Sequence, residues 1–195
     1  MNDRECTENR QGNKTAGALL EFTETVARLM APDGCPWDRV QTHESLKAAC
    51  IEEAAEVVCG INILHNTGKA ESLCEELGDL LLQVVMHAQI AEKEGLFTLE
   101  DVIRGINEKM IRRHPHIFGK APGNQDSVSQ KEGQAGVQVP AEQIHADWKE
   151  IKAREKQGRE WEEPYLFEAF AEAESLIDVA RNRKLRAKPK HDRDS

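Results

Sequence analysis

An all-α helical bundle is the fold this sequence predicts, on three observations. Apolar residues recur at three- and four-residue spacing in successive segments, clusters of Gly, Pro, Asn and Asp separate those segments, and no stretch alternates apolar with polar residues as a half-buried strand does. Hydrophobic residues make up 39% of the 195 and charged residues 31%, with a single Tyr, a balance suited to helices with broad charged faces around a limited core. That length is enough for one domain with a real core. Residues 1–14 are polar and lack the apolar segment of a secretory signal, so a cytoplasmic protein without a membrane segment is expected. A net charge of −9 argues against nucleic acid as the main partner, although a single nucleotide could still be held through a metal and a few cations.

The elements follow in order. Residues 1–14 are expected to be disordered, and a first helix to span 16–30 with Leu19, Phe22, Val26 and Leu29 on one face. The breaker-rich run Ala31-Pro32-Asp33-Gly34-Cys35-Pro36-Trp37-Asp38 is a loop whose Trp37 is expected to plug the end of the bundle rather than stack on a base. Thr42 is read as the cap of a second helix that stops near Gly68. A third runs over about 69–95. Its centre, Leu80-Leu81-Leu82-Gln83-Val84-Val85-Met86, is apolar nearly all round, which marks either the spine of the bundle or part of a subunit interface. Thr98 with Asp101 resembles a capping box and opens a fourth helix through about Arg113, ended by Pro115. Residues 120–139, rich in Gly, Gln and Ser, read as a mobile loop, and Pro140 opens a fifth helix to about Gln157 with Ile144, Trp148 and Ile151 on one face. A last helix is expected over 164–180. The remaining 181–195, with seven basic and two acidic residues, reads as a disordered or fraying tail.

Acids in the wrong place carry the functional signal. On the second helix Leu46, Cys50, Val57, Ile61 and Leu64 form a stripe, with Glu53 aimed into its middle and Glu56 at its edge. On the third, Glu76 and Asp79 flank the stripe of Leu73, Leu77, Leu80, Val84 and Ala91, whereas Glu75 falls on the opposite, solvated side. Carboxylates aimed at a core are neutralised or raised in pKa unless a cation lies among them. An all-oxygen set selects a hard ion, Mg²⁺ or Mn²⁺, over zinc or copper. The five cysteines form no C-x-x-C pair, which argues against zinc, and only Glu142-Gln143-Ile144-His145 has the Glu-x-x-His spacing of which a di-iron bundle needs two. Lys109 and Arg113 lie one turn apart on the apolar face of the fourth helix, where they either snorkel or bind phosphate oxygens, Arg113 by its fork and Lys109 as a point charge. Metal facing such cations suits a polyphosphate. His87, beside a stripe, reads as a satisfied core histidine, and His114 and His116 as residues shaping the turn at Pro115.

Several runs now combine. Cys35-Pro36-Trp37-Asp38, Gln41-Thr42-His43, Ser45-Leu46, the Glu52-Glu53-x-x-Glu56 cluster, Glu75-Glu76-Leu77-Gly78-Asp79 with the apolar run after it, and Arg112-Arg113-His114-Pro115-His116-Ile117-Phe118-Gly119 closely resemble the MazG family of nucleoside triphosphate pyrophosphohydrolases. The resemblance covers about residues 18–119 well and extends more weakly over 148–152. It implies an all-α fold, Mg²⁺ dependence, a homodimer or dimer of dimers, and hydrolysis of NTP or dNTP between the α and β phosphates to monophosphate and pyrophosphate. On that analogy residues 15–160 form the catalytic domain, and 161–195 a C-terminal helix and basic tail. Position by position it makes Glu53, Glu56, Glu76 and Asp79 the metal ligands, and Glu52 the acid that orients or deprotonates water or else supports the ligands. Lys109 and Arg113 become triphosphate contacts, and Trp148 with Lys152 base or phosphate contacts. A role in clearing excess or non-standard nucleotides is implied. The competing expectations are a narrower dCTP- or dUTP-type pyrophosphatase and a non-catalytic helical regulatory module. Two departures stand out: His65-Asn66-Thr67-Gly68 occupies a stretch where members often carry an Asp, and the domain occurs once rather than in tandem, which makes a second copy more necessary to bury the apolar spine.

Overall fold

A computed structural model describes residues 3–119 and 140–187. Their regular elements are α1 (Asp3–Leu29), α2 (Lys47–Thr67), α3 (Glu71–Lys93), α4 (Leu99–Arg113), α5 (Pro115–Phe118), α6 (Ala141–Lys156) and α7 (Glu163–Ala187), with single 3₁₀ turns at Asp38–Val40 and Glu160–Glu162. The all-α expectation is met: no strand occurs among the described residues. None of these helices is long and apolar enough to cross a membrane. The chain divides into two compact units, residues 1–99 with 170–195, and residues 100–169.

The first unit is organised by the α2–α3 hairpin. Gly68 ends α2 in the left-handed region at φ 74°, where its N–H donates to the Leu64 carbonyl at 2.9 Å, and the chain turns back at once into α3. The helices approach closely because residue 60 has no side chain; a Cβ there would lie 2.8 Å from Leu73 Cα. Val26 and Met30 from the end of α1, Leu46 before α2, and Val85, Met86 and Ile90 of α3 form the buried cluster, with Phe22, Leu82 and Leu99 packed against it. The Lys93 ammonium donates to the Met30 carbonyl at 2.6 Å and pins the end of α3 to the end of α1.

The structure differs from the sequence expectation at several points. α1 begins at Asp3, well before residue 16. Thr42 does not cap α2: its hydroxyl accepts from the Ser45 N–H and the Ser45 hydroxyl accepts from the Thr42 N–H, closing a turn of its own ahead of a helix that starts at Lys47. Trp37 is exposed rather than plugging the bundle; the loop is tied instead by Arg28 to Asp33, Arg39 to the Pro32 carbonyl and Gln41 to the Trp37 carbonyl, and Leu46 supplies the buried side chain. In α3 the buried positions gather toward the C-terminal half, while Leu77, Leu81 and Val84 stay half-exposed, because α1 covers only that half. The helix expected to stop at residue 180 continues to Ala187. The loop expected at 120–139 and the end of the tail lie outside the described residues.

In the second unit α4 is followed by the short α5, with Pro115 in its first turn. His114 Nδ1 donates to the Met110 carbonyl at 2.7 Å and packs near the His116 ring, so these histidines shape the turn as expected.

Candidate metal centre

Two antiparallel helices set the geometry. With Gly60 against Leu73, Glu53 comes level with residue 80, beside Asp79 and one turn from Glu76. The same register brings Cys50 level with Gln83, and their side chains meet, Sγ to Oε1, at 4.0 Å. One carboxylate oxygen each from Glu53, Glu76 and Asp79 lies within 4.8 Å of the other two. Three of the four ligands named from the sequence are thus brought together. Glu56, a turn along α2, falls outside that trio and is paired with Lys184.

The electrostatics favour a positive charge among these acids. Burial, then the negative charges of Asp79, Glu52 and Glu76, push the Glu53 carboxyl above its ordinary range, and the nearby Lys184 offsets this only in part. Glu52 moves the other way: a hydrogen bond from Arg183 holds its carboxyl below the usual range against the opposing effect of burial. Mg²⁺ sits about 2.0–2.1 Å from its oxygens, so an octahedral shell spans roughly 3–4 Å between ligands. The trio needs little adjustment to supply part of such a shell, and its donors are all oxygen; these residues fit a hard divalent cation.

Behind the acids is a support network. His87 Nε2 lies 3.3 Å from Cys50 Sγ, and its Nδ1 lies 2.7 Å from Nδ1 of His43, one nitrogen donating and the other accepting. Burial, and to a lesser extent His43, pull the His87 pKa down and favour the neutral ring, while burial pushes the Cys50 thiol up and favours its protonated form. His87 is the satisfied core histidine its position predicted.

The proposed phosphate and base contacts lie in the second unit. There the Arg113 guanidinium carbon lies 5.5 Å from the centre of the Trp148 ring, and the Lys152 ammonium 4.5 Å from the same centre. Arg113 and Arg112 share Glu155, at 2.5 Å and 2.8 Å. Burial lifts the Glu155 carboxyl, but the two arginines outweigh it and leave the pKa lowered. Lys109, half-buried, sits one turn before Arg113 on α4. Sequence reasoning missed Glu155, although it falls three residues beyond Lys152 and seven beyond Trp148, on the same helical face. It also missed Arg183 and Lys184. Their signal was there: Ala173, Leu176 and Ala180 form the less exposed face of α7, and Arg183 and Lys184 continue it at helical spacing.

An all-α protein with a cluster of carboxylates between two antiparallel helices is the class that fold and site define. Residues 41–118 match the MazG nucleotide pyrophosphohydrolase domain. The chain is 46% identical over 144 residues to the nucleoside triphosphate pyrophosphohydrolase/pyrophosphatase MazG of Thermotoga maritima, a match covering 73% of this chain and 48% of that protein. It is 44% identical over 135 residues to the uncharacterized protein YabN of Bacillus subtilis (69% of this chain, 24% of that one). It is 35% identical over 130 residues to the nucleoside triphosphate pyrophosphohydrolase of Escherichia coli K12 (66% and 42%). The matched segment spans about half the length of the first of these relatives and less of the other two.

Proposed function

We propose that this protein hydrolyses nucleoside triphosphates between the α and β phosphates, releasing monophosphate and pyrophosphate, with Mg²⁺ held by Glu53, Glu76 and Asp79 and joined by Glu56. The observation that carries this reading is the convergence of three carboxylates from two helices on a space under 5 Å across, with Glu53 raised in pKa by burial and then by its acidic neighbours. Bound there, Mg²⁺ would neutralise phosphate charge and polarise the phosphorus under attack. Glu52, adjacent in sequence to Glu53, accepts the proton of the attacking water as the water's oxygen joins phosphorus and the link to pyrophosphate breaks. Lys109 and Arg113 are the residues we assign to the triphosphate, and Trp148 with Lys152 to the base or phosphates. Trp148 offers a ring face already attractive to cations and suited to stacking. Names of relatives support the reaction: the Thermotoga maritima and Escherichia coli proteins are named nucleoside triphosphate pyrophosphohydrolases. We assign the protein to the cytoplasm and to nucleotide-pool clearance.

The test is product identification. Purified protein incubated with a panel of NTPs and dNTPs, with Mg²⁺ or with EDTA, is expected to yield monophosphate and pyrophosphate only in the presence of the metal. Diphosphate with orthophosphate would overturn the bond of cleavage, and turnover confined to one pyrimidine dNTP would favour the narrower dCTP- or dUTP-type reading instead.

A further inference from the structure

The last turns of α7 lie on acids the proposed reaction needs. The Arg183 guanidinium hydrogen-bonds Glu52, the Lys184 ammonium pairs with Glu56, and the same ammonium lies 3.6 Å from a Glu52 oxygen. Further back along the helix, Lys47 bridges to Glu172 at 3.2 Å. The pairs advance together, 47 with 172, 52 with 183 and 56 with 184, so the ion pairs progress in the same chain direction on α2 and α7.

Held in this way, the acids are engaged by the chain's own cations. Arg183 takes a lone pair of one Glu52 oxygen, and Lys184 occupies one Glu56 oxygen, so a metal or a water proton must compete with these cations for the same atoms. The two cations supply locally the positive charge that the acidic face of α2 requires, with the Glu52 side chain only 16% exposed and Glu56 26%. Their own side chains are 68% and 56% exposed, and Ile177 and Val179 of the same stretch of α7 are exposed as well. The contact therefore rests on long, solvated side chains rather than on buried apolar surface, and exposed ion pairs of this kind are individually weak. A compact divalent ion carries more charge and gives up no side-chain freedom.

We propose that Arg183 and Lys184 are an internal cation, and that the C-terminal turns of α7 form an autoinhibitory strap over Glu52 and Glu56 which metal with nucleotide displaces. The proposal rests on the metal-dependent reading above and concerns how that site is regulated. It gives the basic end of the chain a role in cis, on the protein's own acids.

The test measures Mn²⁺ affinity of the full chain by electron paramagnetic resonance, alongside amide hydrogen exchange. The Arg183→Ala/Lys184→Ala double variant is expected to bind Mn²⁺ about tenfold more tightly than the parent. Glu172→Gln, which loosens α7 away from the acids, is expected to shift affinity in the same direction by less. In the parent chain, saturation with Mn²⁺ and a nucleotide whose α–β link is non-hydrolysable is expected to speed exchange in residues 176–187. Unchanged Mn²⁺ affinity in the double variant, or affinity that falls together with a raised KM for nucleotide, would overturn the strap; the second result would make the pair substrate ligands. Failure of Mn²⁺ to bind parent and double variant alike would instead overturn the metal-site reading itself, and the strap with it.

Discussion

Glu53 is the residue on which the proposed chemistry turns, because it reaches the other helix's acids from the middle of an apolar stripe. Its carboxyl is raised in pKa by burial and by Asp79, Glu52 and Glu76, so in the metal-free chain its ionised form costs stability. The sign follows: its contribution to the metal-free fold is fully present below the pKa of an unfolded Glu and is lost as pH rises through the higher folded value. Metal affinity runs the opposite way, since the proton competes for the same oxygen. Calorimetric titration with Mg²⁺ is expected to show affinity weakening as pH falls, starting above the ordinary carboxylate range. Glu53→Gln is expected to abolish metal binding and turnover while leaving thermal stability of the metal-free protein equal or higher. A variant that unfolds would show the acid to be structural, and one that keeps full turnover would remove it from the site. At this scale much was legible in the sequence. Glu53, Glu76 and Asp79 could be placed from helical periodicity alone, because only three or four residues separate each acid from its apolar neighbours. Glu155 was not, because a salt-bridge partner on a charged helix looks like any solvated Glu until its arginines are located.

At the scale of elements, the site depends on how closely α2 and α3 approach, and Gly60 sets that distance. Replacing it with Ala would favour the helix by about 1 kcal/mol on propensity alone. The added Cβ would, however, stand 2.8 Å from the Leu73 backbone, which cannot give way without moving α3. Overpacking of this kind costs about 1–3 kcal/mol. Gly60→Ala is therefore expected to lower stability in urea unfolding and, by spreading the trio of acids, to weaken Mg²⁺ binding as well; a neutral or stabilising result would show that the hairpin tolerates a wider separation. Helix boundaries were read less well than helix existence. Thr42 looked like a cap because its residue type and position before an apolar run were right, but its hydroxyl is used within a local turn. The end of α7 was read as a tail because seven basic residues in fifteen suggest solvation. That inference had no access to the acids on α2 that neutralise two of them.

For the molecule as a whole, the question is what covers the apolar surface that the hairpin leaves open. Val58 and Ile61 on α2 and Leu77, Leu81 and Val84 on α3 are half-exposed, on the helices that carry the carboxylates. Side chains of this size gain about 1.5–3 kcal/mol each on full burial, so a second copy meeting this face would gain from several at once. Since Leu77 and Leu81 follow Glu76 and Asp79 by one and two residues, such pairing would also hold the acids in place, linking assembly to metal affinity. Leu81→Lys puts a charge in the middle of the face without touching a ligand. It is expected to convert a dimer to monomer in sedimentation velocity, to remove the concentration dependence of Tm that an obligate dimer shows, and to weaken Mg²⁺ binding although every carboxylate remains. A parent chain that sediments as a monomer at micromolar concentration would refute the pairing. A monomeric variant with undiminished metal affinity would separate assembly from the site, leaving the α2–α3 hairpin sufficient to hold the acids by itself.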